Sequence, residues 1–229
     1  MQRKKLLVYA SGEADPNQGG SGVLKLWNAT QDGSLNADIV AVVSNHAQGG
    51  VYTKMHKLTR FIHSPKGRTV DDYRRIMDET QPDFTALSGW LGYMITDGYD
   101  PHTTFNIHPA INLRRFGGHH FHGMNVHRAA IEAFRNGEVK HSGVSMHFVT
   151  DVYDDPDAVI FNRIVPILDG DEAEDLRDRV NKVEHEWQAT ITNRIVTGEI
   201  VWPRDKPLSD ITGRDIQSWP DYRGDAQEN

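Results

Sequence analysis

From Leu6 onward, short apolar runs closed by Gly, Pro or Asn alternate with stretches of helical period, and that alternation constrains the fold more than any other feature. Leu6–Ala10, Ile39–Ser44, Arg60–Ile62, Phe84–Ser88 and Thr104–Ile107 read as strands. Between them Val23–Asn28, Val51–Leu58 and Thr69–Thr80 read as helices. In the last of these Val70, Tyr73, Ile76 and Met77 share a face, Thr69 with Asp72 makes an N-terminal capping signal, and Pro82 ends the run. Parallel strands need crossover connections, and those are usually helices. The expected fold is therefore a single α/β domain, a doubly wound and mostly parallel sheet with helices on both faces.

After a helix over Met124–Arg135, the closely spaced β-rich runs Val144–Val149 and Ala158–Pro166 extend the sheet as an antiparallel pair. Glu172–Thr197 is the longest helical stretch. Its apolar residues Leu176, Val180, Val183, Trp187, Ile191 and Ile195 form a stripe expected to pack on the sheet. Beyond Trp202, Pro203, Pro207 and Pro220 stand among charged and small residues, so residues 1–202 are expected to form the folded domain and 203–229 an extended or partly disordered tail.

Composition narrows the function. With 38% hydrophobic and 25% charged residues over 229 positions the chain is an ordinary globular one. It has no cysteine, which removes disulfides, thiolate metal sites and cysteine nucleophiles, and fits a reducing, cytoplasmic setting. A net charge of -7 supplies no basic footprint for nucleic acid or an anionic membrane. No run approaches the ~20 apolar residues of a membrane span, and the run after Met1–Lys5 is too short for a signal peptide.

Five places could carry chemistry. Ser11–Gly22 joins the first strand to the first helix, and its glycines make it either a bare turn or a cradle for one phosphate near Gly20, Ser21 and Gly22. It lacks the spacing of a dinucleotide loop and the Walker lysine. Asn106 and His108 project to one side of a strand end where open α/β sheets bind ligands; the pair is either structural or suited to a developing oxyanion with a proton to move. The acidic turn with Asp151, Asp154, Asp155 and Asp157 is either solvated or lends one carboxylate to His108. Glu184 lies in or beside the apolar stripe, and either snorkels to water or meets a ligand. His119, His120, His122 and His127 cluster in a loop that either covers a pocket or holds a metal.

Taken in order, the turn SG and GGSG, Ser44-Asn45, Gly89-Trp90-Leu91-Gly92-Tyr93-Met94, Asn106-Ile107-His108-Pro109, His127-Arg128-Ala129-Ala130, Gly143 to Asp154, Val165-Pro166 with Gly170-Asp171, and Val183-Glu184-His185 resemble the phosphoribosylglycinamide formyltransferases. These are folate-dependent, Rossmann-like enzymes of purine synthesis. The likeness spans about residues 5 to 202. It implies transfer of a formyl group from 10-formyltetrahydrofolate to the primary amine of glycinamide ribonucleotide. Asn106, His108 and Asp154 would be catalytic, Gly20, Ser21 and Gly22 would hold the phosphate, and Glu184 the ribose. Trp90, Leu91, Gly92, Tyr93 and Met94 with Thr150, Asp151 and Tyr153 would hold the pterin, largely through backbone groups. The resemblance also implies small-molecule partners, no metal, no nucleic acid or membrane partner, and a monomer or homodimer.

The chain departs from that pattern at four points. The first turn is longer than usual, with Gly22 where the family often has Asn; Gly92 stands where an arginine is often seen; the loop Phe116–Val126 is longer and histidine-rich; and Asp155 follows Asp154 as an extra residue and a second candidate partner for His108. Three alternatives remain within the sequence: a formyltransferase for another small phosphorylated amine, a metal-dependent hydrolase built on His119–His127, or a non-catalytic ligand-binding module. The extra N-terminal or barrel domains of the larger relatives are not expected within these 229 residues.

Overall fold

A computed structural model describes residues 2–65, 68–94 and 99–202. The tail expected over 203–229 lies outside them. The chain runs β1 (Lys4–Tyr9), α1 (Ser21–Asp32), β2 (Ala37–Ser44), α2 (Gly50–Met55), β3 (Phe61–His63), α3 (Val70–Thr80), β4 (Phe84–Ser88), β5 (Thr104–His108), α4 (Leu113–Phe116), α5 (Met124–Arg135), β6 (His141–Phe148), β7 (Val159–Pro166) and α6 (Ala173–Val196). Among the described residues the strands form a seven-stranded sheet in the order β3-β2-β1-β4-β5-β6-β7. The α/β expectation therefore holds. Among the described residues two compact units are present, one from residues up to 107 with 185–201, the other from residues 108–184 with Trp202.

In the first unit β1 pairs in parallel with both β2 and β4, β2 with β3, and β4 with β5. A parallel strand covered on both faces has no solvent side, which is why Leu6, Leu7, Val8 and Tyr9 run without polar alternation and are fully buried. α3 starts where its capping signal places it: the Thr69 side chain accepts from Asp72 N–H while Asp72 accepts from Thr69 N–H. α2 stops three residues before the expected Leu58, because the Met55 carbonyl takes the N–H groups of Leu58 and Thr59 in a closing turn. The long first loop is tied down where Glu13 C=O accepts from Gly50 N–H at 3.1 Å.

In the second unit β6 and β7 pair antiparallel, with His141 opposite Pro166 and Met146 opposite Phe161. Phe148 is fully buried and meets Trp202 edge-on with ring centroids 5.2 Å apart.

The α6 stripe differs from expectation. Leu176, Val180, Ile191 and Ile195 are buried, but Val183 and Trp187 are only half-buried, while Gln188 and Thr192 are buried instead. Steps of mostly four residues run ahead of a 3.6-residue turn, so the apolar line drifts around the helix. The inner face takes up the ladder Glu184, Gln188, Thr192.

Candidate active site

β5 ends at His108, and Pro109 behind it has no N–H to continue the ladder. Asn106 sits two residues earlier, half-buried, with Leu87 of β4 as its register partner. His108 is 5% exposed, and its Nδ1 lies 3.3 Å from Asp154 Oδ2. Asp154 is buried as well and has a left-handed φ of 49°, a conformation Asp tolerates better than most residues. Its carboxylate is shared three ways. Besides His108, it accepts from Gly118 N–H at 3.0 Å and faces His147 Nε2 at 3.4 Å through Oδ1.

Of the two neighbouring aspartates only Asp154 meets the imidazole. Asp155 is turned to Thr150, accepting from its Oγ1 at 2.8 Å, and caps the short 3-10 turn Pro156–Ala158 by accepting from Asp157 N–H at 2.9 Å. His147 carries a role that its place in the strand pattern did not reveal: its Nδ1 is 2.8 Å from Phe148 C=O, so its other nitrogen is left to Asp154. A histidine among the inward residues of β6, next to the edge of the sheet, was the available signal.

Burial works hardest on Asp154 to raise its pKa, but the His147 hydrogen bond, the two imidazoles and Gly118 N–H outweigh it and hold the carboxyl below its ordinary value. For His108 burial also leads, and it lowers the pKa against the opposing pull of Asp154. Burial thus outweighs the carboxylate, which alone would raise the imidazole's pKa. The same burial comes from the loop: His108 Nε2 lies 2.8 Å from Phe116 C=O. Acceptors therefore face both ring nitrogens, and a neutral imidazole can donate to only one of them.

The candidate phosphate turn leads into α1 through Gly20 at φ 76°, with no side-chain cap and no acidic residue in the first turn. The N–H groups opening α1 are thus left without intrahelical partners. Ser21 Oγ lies 3.1 Å from His185 Nε2. Glu184, with Asn181 Nδ2 donating to its Oε2 at 3.3 Å, has its pKa raised to about 7 by burial.

The candidate pterin residues divide. Trp90 and Met94 are buried, while Leu91 and Tyr93 are exposed. Two backbone groups are already engaged, Leu91 N–H by Ser11 Oγ at 2.9 Å and Tyr93 C=O by Tyr73 OH at 2.8 Å. The space a side chain at Gly92 would need is filled by Arg68, whose guanidinium stacks 4.3 Å over the Trp90 ring. An arginine thus stands at this segment, delivered from the loop before α3. Thr150 faces inward to Asp155, Asp151 is exposed, and Tyr153 meets His119 edge-on at 5.9 Å.

In the histidine-rich loop His119, His120 and His122 are exposed while His127 is buried. Among the described residues no group of three or more His, Cys, Asp or Glu side chains is placed to hold a metal ion. His127 Nδ1 has no hydrogen-bond partner, and burial, with Arg177 nearby, lowers its pKa to about 4. The neutral ring is the folded form, so its contribution to stability is complete above pH ~6.5 and is lost as pH falls toward about 4. Over that window about 3 kcal/mol is at stake. In His127→Leu the drop in melting temperature from pH 7 to pH 5 should shrink; an unchanged drop would assign acid sensitivity to other groups.

The described strands form one seven-stranded α/β sheet, and a buried imidazole meets a buried carboxylate at the end of β5. The sequence goes further: residues 4–192 match the family described as formyl transferase, and the chain belongs to that family. Phosphoribosylglycinamide formyltransferase, chloroplastic, of Vigna unguiculata is 31% identical over 215 residues, covering 90% of this chain and 65% of that protein. The chain thus spans just under two thirds of that relative's length. Among solved structures, glycinamide ribonucleotide transformylase 1 from Geobacillus kaustophilus is 26% identical with a TM-score of 0.69, over 85% of this chain and 99% of that one. The Symbiobacterium toebii glycinamide ribonucleotide transformylase 1 reaches a TM-score of 0.73 at 22% identity, over 89% and 92% of the two chains, and speaks for the fold.

Proposed function

We propose that the chain transfers the formyl group of 10-formyltetrahydrofolate to the primary amine of glycinamide ribonucleotide, a step of purine biosynthesis. The observation that carries this reading is the buried His108–Asp154 contact at the end of the strand that bears Asn106. Family membership and the names of the relatives support the donor and acceptor.

In this reading the amine nitrogen attacks the formyl carbon and forms the new C–N bond, while the carbonyl electrons move onto oxygen. Asn106 Nδ2–H meets that oxyanion, joined by His108 once its Nε2 has taken the proton that the attacking amine loses. Collapse re-forms the carbonyl and breaks the bond to folate N10, and the proton lost by the amine ends on N10 through His108 or water. Asp154 fixes the imidazole's orientation and balances the charge it gains. Phe116 C=O occupies the position of an acceptor on Nε2, so the substrate oxygen must replace it before the ring can act.

Gly20, Ser21 and Gly22 bind the phosphate and Glu184 the ribose hydroxyls, with Trp90 to Met94, Thr150, Asp151 and Tyr153 about the pterin. The enzyme acts without a metal, as a monomer or homodimer on small molecules, in the cytoplasm. No helix among the described residues is long and apolar enough to cross a membrane, although the Vigna relative is named chloroplastic.

Release of tetrahydrofolate that depends on added glycinamide ribonucleotide tests the reading; equal release without the amine would point to hydrolysis. Glu184 adds a sign. Its carboxylate form, the better acceptor for two hydroxyls, gains population as pH rises through about 7, so KM for glycinamide ribonucleotide should fall across that range. Glu184→Gln should abolish the dependence while raising KM at high pH.

A further inference from the structure

Gln188 is a buried amide to which nothing above gives a task. It is 3% exposed on the inner face of α6, one turn beyond Glu184, at a height where the helix could have placed an apolar side chain. An amide there is costly unless its groups are used. One is: Ser88 Oγ donates to Gln188 Oε1 at 3.1 Å. No described residue accepts from Nε2.

The position of Gln188 explains Gly22. A Cβ at residue 22 would lie 2.7 Å from Ser88 Oγ and 3.3 Å from Gln188 Oε1, so the hydroxyl and the amide occupy the space a side chain on the turn would take. By accepting from Ser88, Oε1 fixes the amide plane and leaves the N–H groups for something else. The surroundings offer donors: the opening N–H groups of α1 with no acidic residue in its first turn, and the Ser21 hydroxyl beside His185 Nε2. A group with several anionic oxygens suits that set.

We propose that Gln188 is a phosphate-binding residue, its carboxamide N–H reaching from α6 to complete the donor set of the Gly20–Gly22 turn. The inference rests on the assignment of the substrate phosphate to that turn. It makes Gly22 and Gln188 a matched pair: the turn gives up its own side chain because a helix more than 160 residues later supplies the amide.

The test uses the full chain and steady-state kinetics with Gln188→Leu, the isosteric Gln188→Glu, and Ser21→Asp, with inorganic phosphate as competitive inhibitor. Losing one hydrogen bond to a charged group should raise KM for glycinamide ribonucleotide about tenfold in Gln188→Leu, with the phosphate inhibition constant rising in parallel. kcat and KM for 10-formyltetrahydrofolate should stay near wild type. Gln188→Glu, which keeps the shape and adds a repelling charge, should show a larger rise and serves as the test if the leucine variant melts early. If Ser21→Asp raises KM and the phosphate constant while both Gln188 variants leave them unchanged, Gln188 is structural and the phosphate turn stands alone. If none of the three variants moves either constant, the phosphate assignment falls and the inference with it. A fall in kcat alone at unchanged KM would also overturn the inference.

Discussion

Asp154→Asn is expected to lower kcat about 10³- to 10⁴-fold while the protein still folds. The fold should survive because Asn accepts the left-handed φ of 49° as readily as Asp does. Activity should not, because the carboxylate faces three nitrogens at once: His108 Nδ1 at 3.3 Å, His147 Nε2 at 3.4 Å and Gly118 N–H at 3.0 Å. A carboxamide offers one oxygen and turns an N–H2 toward the rest. One imidazole must then change tautomer or lose its partner, and the charge that balances a protonated His108 is gone. An unmet buried polar group of this kind costs about 1–3 kcal/mol, so the melting temperature should drop modestly against a large kinetic loss. Turnover within tenfold of wild type, measured beside calorimetry, would mean that His108 does not depend on Asp154.

Asn106→Ala is the second large effect. Removing one donor to an oxyanion raises the barrier by roughly 3–4 kcal/mol, so kcat should fall about 10²- to 10³-fold with both KM values little changed. β5 is paired with β4 at this position, opposite Leu87, so the strand holds its place when the side chain is cut back. The double variant Asn106→Ala with His108→Ala should lose less than the product of the two single losses, as expected for groups that act on one intermediate. Equal losses in KM and none in kcat would reassign Asn106 to substrate binding.

The strands were legible because a parallel sheet covered on both faces writes continuous apolar runs, as in Leu6 to Tyr9, and because Thr69 and Asp72 announce a helix start. α2 overran because its last residues sit in a turn closed by the Met55 carbonyl, a choice that residue types alone do not specify. The acidic turn offered two aspartates for one histidine. Their assignment depends on Asp155 being claimed by Thr150 and the turn behind it, a matter of backbone path. Burial of His108 under the Phe116 carbonyl was likewise invisible, and it reverses the net direction of the imidazole's pKa from what its carboxylate alone suggests.

The two glycine departures show the same limit from the other side. Gly22 and Gly92 look in sequence like missing functional side chains. In the fold Gln188 with Ser88 fills the first space and Arg68 the second, each from a distant stretch of chain. Drift of α6 was partly readable: steps of four between Leu176 and Val180, continued through Glu184, Gln188 and Thr192, trace an inner ladder that ends polar.

The account turns on whether the formyl carbon passes from folate nitrogen to substrate amine under the control of Asn106, His108 and Asp154. A single turnover with donor labelled by carbon-13 in the formyl group, followed by NMR, asks this directly. Label should appear in the formamide of the nucleotide product, with no formate, and should remain in the donor when the amine is withheld. Label released as formate at the same rate with or without the amine would contradict the account.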